Sequence, residues 1–133
     1  MAMSNRELIR VVDLHKYFPV QTGFISSLTS RDGPSVKAID GISFSIRQGE
    51  IFGLVGESGC GKTTTGRTIL RLIEPTQGKI YFDDVEITKL KKDELKKYRR
   101  EMQIILQDPF ESLNPKMTIR DLVMEPLEIH GIG

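Results

Sequence analysis

Residues 56–63 read GESGCGKT, and residues 51–55, immediately before them, read IFGLV. The octapeptide matches the pattern G-x-x-x-x-G-K-[ST] at every fixed position. The apolar pentapeptide predicts a short strand buried on both faces, and residues 62–73 carry apolar side chains at helical spacing. A strand, a glycine-rich loop and a helix in this order direct backbone N–H groups and a helix N-terminus towards one anion. The stretch therefore predicts a phosphate-binding loop.

The residue types in this loop suit contact with a nucleoside triphosphate. Its glycines allow the backbone to bend and to approach phosphate oxygens where a Cβ would collide. Lys62 provides a positive charge for the β- and γ-phosphates, and the Thr63 hydroxyl is a candidate ligand of Mg²⁺. Thr64 lies one residue further along the first helical turn, within reach of the α-phosphate. The predicted nucleotide contacts are Gly56, Ser58, Gly59, Cys60, Gly61, Lys62, Thr63 and Thr64.

Composition limits the class of protein. The chain has 133 residues, 19 Lys plus Arg against 18 Asp plus Glu, and one cysteine. This length fits one compact domain, and the near-neutral charge argues against a dedicated nucleic-acid binder. A disulfide within the chain is excluded, and no apolar stretch approaches the roughly 18 residues of a membrane-spanning helix. Any membrane role is expected to come through a partner.

Periodicity and turn residues predict the remaining elements. Thr118 opens a final helix, with Asp121 placed for a capping box. Residues 19–34 are rich in Gly, Ser and Thr and predict an exposed excursion. The other predicted elements are strands over residues 7–18, 36–46, 79–82, 85–87 and 102–106 and a helix over residues 88–100.

The phosphate loop and the segment around residue 107 together resemble a known family. GESGCGKTT, preceded by AIDGISFSIRQGEIFGLV and followed by MQIILQDPFESLNPKMTI, resembles the ATP-binding subunit of ABC transporters, in the branch that imports oligopeptides and dipeptides. Gln107 resembles the Q-loop glutamine, and residues 108–115 are similar to the extended form typical of peptide importers. The excursion over residues 19–34 also resembles that branch, and the resemblance spans about residues 8–128.

The resemblance implies an α/β fold of the ABC-ATPase type of P-loop NTPase. An N-terminal antiparallel β portion would precede part of a parallel nucleotide-binding core. Residues 1–133 would form the N-terminal part of one such domain, truncated, with the Walker A loop and the Q-loop but without the signature, the Walker B strand or the switch histidine. His15 and His130 match neither histidine context. Because strands of the complete domain, such as the Walker B strand, would be missing, we expect the apolar faces of residues 51–55 and 102–106 to be uncovered.

The resemblance also implies roles for particular residues. Gln107 would contact Mg²⁺ or the attacking water, so the implied catalytic residues are Lys62 and Gln107 and the implied metal ligands are Thr63 and Gln107. Phe18 matches the aromatic position that stacks on adenine, with Tyr17 as the adjacent alternative. A plain core aromatic is the other interpretation of Phe18.

The implied cofactors are ATP and Mg²⁺. The implied partners are transmembrane permease subunits, a second ATP-binding subunit, identical or different, and, indirectly, an extracytoplasmic solute-binding protein. No nucleic-acid partner is implied, and the implied location is peripheral, at the cytoplasmic face of the cell membrane. The transported solute stays open between peptides, nickel and other compounds.

Several alternatives remain at this point. One is a different P-loop enzyme, such as a small kinase or a GTPase, although a GTPase would need an N-K-x-D segment, which the sequence lacks. The chain could also hold ATP without turnover. The basic residues between 89 and 100 could bind nucleic acid, although a solvated helix face is the simpler interpretation. Cys60, beside Lys62, could have a redox function, although a small residue that fits the loop is again simpler.

Overall fold

The structure, a computed structural model, describes residues 6–20, 34–105, 107 and 113–131. The chain divides into two compact units, Met1–Leu95 and Lys96–Gly133. The elements, in chain order, are β1 (Glu7–Pro19), β2 (Ser35–Arg47), α1 (Lys62–Ile69), β3 (Gln77–Phe82), β4 (Val85–Glu86), a short 3-10 helix (Ile87–Lys89), α2 (Lys92–Arg99) and α3 (Ile119–His130).

The strands form one antiparallel sheet in the order β2-β1-β3-β4. β1 is an interior strand that pairs with both β2 and β3, which suits its β-branched run. The predicted antiparallel portion and its strands are confirmed, except that the strand predicted over residues 85–87 ends at Glu86, where a 3-10 helix follows. The buried apolar side chains that form the core beneath this sheet are Val11, Leu14, Ile39, Ile80, Phe82, Ile87 and Leu95.

The pairing of β1 with β2 shifts by one residue near the end of β1. Lys16 lies opposite Ile39, whereas Tyr17 lies opposite Lys37, so Ala38 is an extra residue in β2. A β-bulge of this kind bends the strand and changes the direction of the side chains and carbonyls around it. Ala38, at this bulge, lies against the phosphate loop.

α1 ends at Ile69, earlier than the predicted helix over residues 62–73. Arg71 has a left-handed backbone (φ 50°), and the amides of Arg71 and Leu72 donate to the carbonyls of Thr68 and Arg67, both at 2.9 Å. These two bonds form a Schellman motif, which terminates a helix and satisfies its last carbonyls. The sequence prediction missed this end because the left-handed position is occupied by arginine instead of glycine.

The Arg71 side chain joins the end of α1 to the segment before α2. The side chain is 9% exposed, and its guanidinium donates to the carbonyl oxygens of Ile87 at 2.6 Å and Leu90 at 2.8 Å. It also forms a two-pronged ion pair with Glu74, at 2.8 and 3.1 Å. These bonds hold the left-handed residue in place although arginine has no intrinsic preference for that conformation.

Two predicted buried strands are wrong in the described residues. Residues 51–55 and 102–105 adopt no strand, and the described residues contain no parallel strand pair from the expected nucleotide-binding core. Ile51 is 99% exposed, and Val55 and Ile105 are each 94% exposed. A strand satisfies its backbone amides through neighbouring strands, and none of the described strands pairs with either segment. The expected uncovered apolar side chains are confirmed, although Phe52 stacks on Phe44 with ring centroids 4.9 Å apart.

The predicted final helix is confirmed as α3, whereas the predicted helix over residues 88–100 differs from the structure. Thr118 accepts from the Asp121 amide at 3.2 Å, and the Asp121 carboxylate accepts from the Thr118 amide at 3.3 Å, which completes the predicted capping box. The predicted helix over residues 88–100 is divided. The chain is extended at Leu90, and the Lys91 amide donates to Glu94 at 2.9 Å, so a new helix, α2, begins there.

Candidate functional site

The glycine-rich loop has the backbone that its sequence requires. Gly59 and Gly61 have φ values of 83° and 95°, in the left-handed region that disfavours other residues. A Cβ added to Gly56 would lie 2.5 Å from the Cys60 sulfur, so the loop closes on itself at that point. Residues 56–60 are exposed, and an anion can reach the loop from solvent.

Gly61 joins this loop both to α1 and to the sheet. It is the N-cap of α1, and its carbonyl oxygen accepts from the Thr65 amide at 2.8 Å and from the Thr65 hydroxyl at 3.0 Å. A Cβ at Gly61 would overlap the carbonyl oxygen of Ala38, the extra residue in β2. The start of α1 is thus held directly against the bulge, with its first N–H groups at the end of the loop.

The Lys62 ammonium lies over the loop. Its Nζ donates to the carbonyl oxygens of Gly56 at 2.7 Å and Glu57 at 2.6 Å, and it lies 3.6 Å from the Cys60 sulfur. These are neutral acceptors, and a phosphate oxygen at the same place is a stronger partner because it is charged. The lysine is therefore positioned at the part of the loop where an anion would bind.

The hydroxyl residues of the loop and of the first turn of α1 differ in accessibility. Ser58 and Thr63 are exposed, whereas Thr64 is half-buried. One exposed hydroxyl beside bound phosphates fits Mg²⁺, which retains several waters and takes few protein ligands. Among the described residues, no group of three or more His, Cys, Asp or Glu side chains could hold a metal ion without phosphates.

The two aromatic candidates for base stacking lie on opposite faces of β1. Phe18 is 38% exposed, and the Lys16 ammonium lies 4.9 Å from the centre of its ring. On the other face, the Tyr17 hydroxyl donates to Asp40 and lies 2.9 Å from His15 Nδ1. The Tyr17 ring is thus already occupied by polar partners, whereas the Phe18 ring is partly open to solvent.

The hydrogen bonds and charges around Tyr17 favour an ionised Asp40 carboxylate and a neutral Tyr17 hydroxyl. The hydrogen bond from Tyr17, followed by that from Lys37, holds the pKa of the Asp40 carboxyl below its ordinary value of 3.8. The same hydrogen bond raises the pKa of the Tyr17 hydroxyl above its ordinary value of 10.0. At neutral pH the bond therefore joins a neutral phenol to a carboxylate, which makes it a strong, charge-assisted bond.

Gln107 belongs to the second compact unit and is exposed. Most of the peptide-importer segment that follows it, residues 108–112, lies outside the described residues, as do residues 21–33 of the predicted excursion. The roles that the sequence predicts for Gln107 stay predictions.

Sequence reasoning missed the polar residues that surround Tyr17. The alternation of His15 and Tyr17 indicates a shared face of β1, which is a usable signal. Their pairing with Asp40, however, depends on register shifts at Gly41 and Ala38. A hydrophobic pattern does not specify where such bulges fall, so these contacts could not be predicted.

The geometry defines a class of protein. A left-handed glycine loop, a lysine folded over it and a helix that starts at its end together define a P-loop nucleotide-binding protein. A family model described as ABC transporter matches residues 39–129. The chain belongs to the ABC transporter family, whose ATPases bind ATP. Within the described residues, no helix is long and apolar enough to cross a membrane.

Individual relatives agree with this assignment. The chain is 45% identical over 134 residues to the oligopeptide transport ATP-binding protein AppF of Bacillus subtilis strain 168, an alignment that covers 99% of this chain and 40% of AppF. It is similar to the dimeric structure of MJ0796, a bacterial ABC transporter cassette, with a TM-score of 0.69, 28% identity, and 90% of this chain and 47% of that one covered.

A second structure of MJ0796 is a dimer in a post-hydrolysis state, bound to ADP and phosphate. It has a TM-score of 0.56 and 28% identity, and the match covers 69% of this chain and 35% of that one. ABC cassettes of this kind thus form dimers. The chain spans less than half the length of each of these relatives.

Proposed function

We propose that the chain is the N-terminal part of the ATP-binding subunit of an ABC importer for oligopeptides or dipeptides. In the complete protein it would couple ATP binding and hydrolysis to transport. The observation that carries the proposal is the Lys62 ammonium, held over an exposed glycine loop at the N-terminus of α1. The peptide branch is supported by the identity with AppF, which is named as an oligopeptide transport protein.

In this proposal the loop binds the phosphates and Mg²⁺. Lys62 leaves the carbonyl oxygens of Gly56 and Glu57 and turns to the β- and γ-phosphates. The exposed Thr63 hydroxyl contributes one ligand to Mg²⁺, which would neutralise charge on the terminal phosphates. The backbone amides of the loop and of Thr64 complete the phosphate contacts. The open backbone at Gly59 and Gly61 supports this arrangement.

Phe18 is the proposed platform for adenine. The engagement of the Tyr17 hydroxyl with Asp40 and His15 supports Phe18 over Tyr17, because a base could stack on Tyr17 only beside that polar group. Stacking on an aromatic ring tolerates any base with a π-face, so this contact would contribute affinity more than base selection.

The proposed partners are those of a peptide importer. A second ATP-binding subunit would face the loop, consistent with the dimers that MJ0796 forms. Permease subunits would receive the nucleotide state through Gln107, and a solute-binding protein outside the membrane would deliver the peptide. The chain would then lie at the cytoplasmic face of the cell membrane.

A nucleotide-binding module without turnover is the second candidate function. It is favoured by residues 51–55 and 102–105, which adopt no strand and so do not build the parallel core that would hold a catalytic base. Binding alone requires only the loop, α1 and the base platform.

The test is calorimetric titration of the folded chain with Mg-ATP. Lys62→Ala removes the ammonium but no core contact, so we expect loss of detectable binding with an unchanged far-UV circular dichroism spectrum. Lys97→Ala, which removes an exposed lysine from α2, is the matched control and should bind as the wild type does. Equal affinity of Lys62→Ala and wild type would refute the proposed site.

A further inference from the structure

A cluster of polar side chains lies behind the base platform, and none of its members is a proposed contact of the nucleotide. We call it the Asp40 cluster, and its members are Asp13, His15, Tyr17, Lys37 and Asp40. His15 has its Nε2 3.0 Å from Asp13 Oδ1 and its Nδ1 3.3 Å from Asp40 Oδ1. The Lys37 ammonium donates to the other Asp40 oxygen at 3.2 Å and lies 5.3 Å from the centre of the Tyr17 ring. Asp40 thus accepts from both strands of the β1–β2 pair.

The cluster determines how Tyr17 is oriented. The His15 and Tyr17 rings meet edge to face, with their centroids 5.7 Å apart, and the Tyr17 hydroxyl donates to Asp40. The backbone is held as well, because the Tyr17 amide donates to the Thr76 hydroxyl at 3.0 Å and the Thr76 amide donates to the His15 carbonyl at 2.8 Å. Both the ring and the backbone of Tyr17 are therefore fixed.

Fixing Tyr17 also fixes Phe18. Successive side chains of a strand point to opposite faces, so the face that Tyr17 takes leaves the other to Phe18. A slip of one residue at this position would exchange the two rings. The register of β1 against β2 changes at Ala38, and the bond from Tyr17 to Asp40 holds the end of β1 in one of the two alternatives.

The same cluster spans the bulge that contacts the phosphate loop. Lys37 and Asp40 flank Ala38, and their ion pair closes the bulge on one side. The Ala38 carbonyl oxygen lies against Gly61, at the start of α1. This contact is made by a backbone atom of Ala38, so a change to a side chain of the Asp40 cluster leaves it in place.

We propose that Asp40 and Tyr17 are positioning residues that orient Phe18 for the base of the bound nucleotide. They touch neither phosphate nor base, and they act through the register of β1 against β2. This inference rests on the proposed function, in which Phe18 is the base platform. It predicts that their loss weakens the contribution of the base to binding and leaves the contribution of the phosphates unchanged.

The experiment compares two probes, Mg-ATP and Mg-tripolyphosphate, which has the phosphates but no base. Calorimetric affinities are measured for the wild-type chain, Asp40→Asn, Tyr17→Phe, Phe18→Ala and the double variant Asp40→Asn with Phe18→Ala. Asp84→Asn, which alters an exposed turn carboxylate between β3 and β4, is the matched control. Tyr17→Phe removes a single oxygen, so it keeps the experiment decisive if Asp40→Asn fails to fold.

We expect Phe18→Ala to lower the ATP affinity by roughly 5- to 140-fold, the range for one lost base-stacking contact. Asp40→Asn and Tyr17→Phe should lower it by at least about 3-fold and by less than Phe18→Ala does. The double variant should be no weaker than Phe18→Ala alone, because Asp40 acts through Phe18. Affinity for tripolyphosphate should stay within about 2-fold of wild type in every variant.

The possible outcomes separate this inference from the proposed function. If Phe18→Ala weakens ATP binding and both positioning variants retain it, the inference is wrong and the base platform stands. If tripolyphosphate binding falls in parallel with ATP binding, the cluster acts only on folding and the inference is wrong. If Phe18→Ala leaves ATP affinity unchanged, the platform assignment fails, and the inference fails with it.

Discussion

Removal of the Arg71 guanidinium should destabilise the first compact unit substantially. The Arg71 side chain is 9% exposed, and its guanidinium donates to the carbonyl oxygens of Ile87 and Leu90. Hydrogen bonds to a charged group contribute about 1.5–3 kcal/mol each, so the two bonds together contribute roughly 3–6 kcal/mol. The ion pair with Glu74 adds little, about 0–1 kcal/mol, because the Glu74 side chain is 65% exposed.

Arg71→Met is the perturbation that isolates these bonds. Methionine retains an unbranched apolar stem but donates to neither carbonyl oxygen, and the Ile87 oxygen then keeps only the long bond from the Leu90 amide, at 3.4 Å. It meets the same left-handed backbone cost as arginine does, so that cost cancels in the comparison. We expect a loss of about 3 kcal/mol or more in the free energy of unfolding, a large share of the 5–15 kcal/mol typical of a domain.

Urea unfolding followed by far-UV circular dichroism measures this loss, since the chain has no tryptophan to report by fluorescence. Glu74→Gln is the matched control, because it removes the exposed ion pair and leaves the carbonyl bonds intact. We expect its loss to stay below about 1 kcal/mol. If Arg71→Met is no less stable than Glu74→Gln, the buried carbonyl bonds do not stabilise the end of α1 as argued.

Three further predictions concern other parts of the chain. Thr118→Ala should destabilise α3 by about 1 kcal/mol, seen as lower helical ellipticity, whereas Thr118→Ser should retain the cap; equal ellipticity would contradict this. Folding lowers the pKa of Asp40 and raises that of Tyr17. The stability from their bond should therefore be fully present between their ordinary pKa values, 3.8 and 10.0. It should be lost as pH falls through the folded pKa of Asp40 or rises through that of Tyr17. Urea unfolding against pH checks this, and a difference between wild type and Tyr17→Phe that does not vary with pH would oppose it. The chain alone should release no useful amount of phosphate from ATP, because positioned water and a catalytic base are both needed; turnover that scales with protein and vanishes in Lys62→Ala would overturn this.

The parts of the fold that the sequence predicts well are those specified by short-range chemistry. The capping box at Thr118 and Asp121 depends on residues three positions apart, and the left-handed glycines of the phosphate loop depend on their own lack of a Cβ. The strands of the antiparallel sheet follow from alternation along one segment. Each of these signals is complete within a few residues.

The parts that the sequence predicts poorly depend on a distant partner. Residues 51–55 have the composition of a buried strand, but composition does not supply the neighbouring strand whose amides would pair with them. Arg71 terminates α1 in a conformation that normally requires glycine, and its side chain is held by carbonyls at Ile87 and Leu90. Neither feature has a local signature.

Local bonds also explain why the phosphate loop is formed although the segment before it is not a strand. The bonds of Lys62 are to Gly56, Glu57 and Cys60, all within the loop, and α1 begins with bonds from Thr65 to Gly61. The loop also lies against Ala38, a residue of the antiparallel sheet, at Gly61. The loop therefore needs no parallel core to adopt its shape. Gln107, by contrast, follows residues 102–105, which adopt no strand. Phosphate binding is thus the part of the proposed function that depends least on strand pairing, and the proposed coupling through Gln107 is the part that depends on it most.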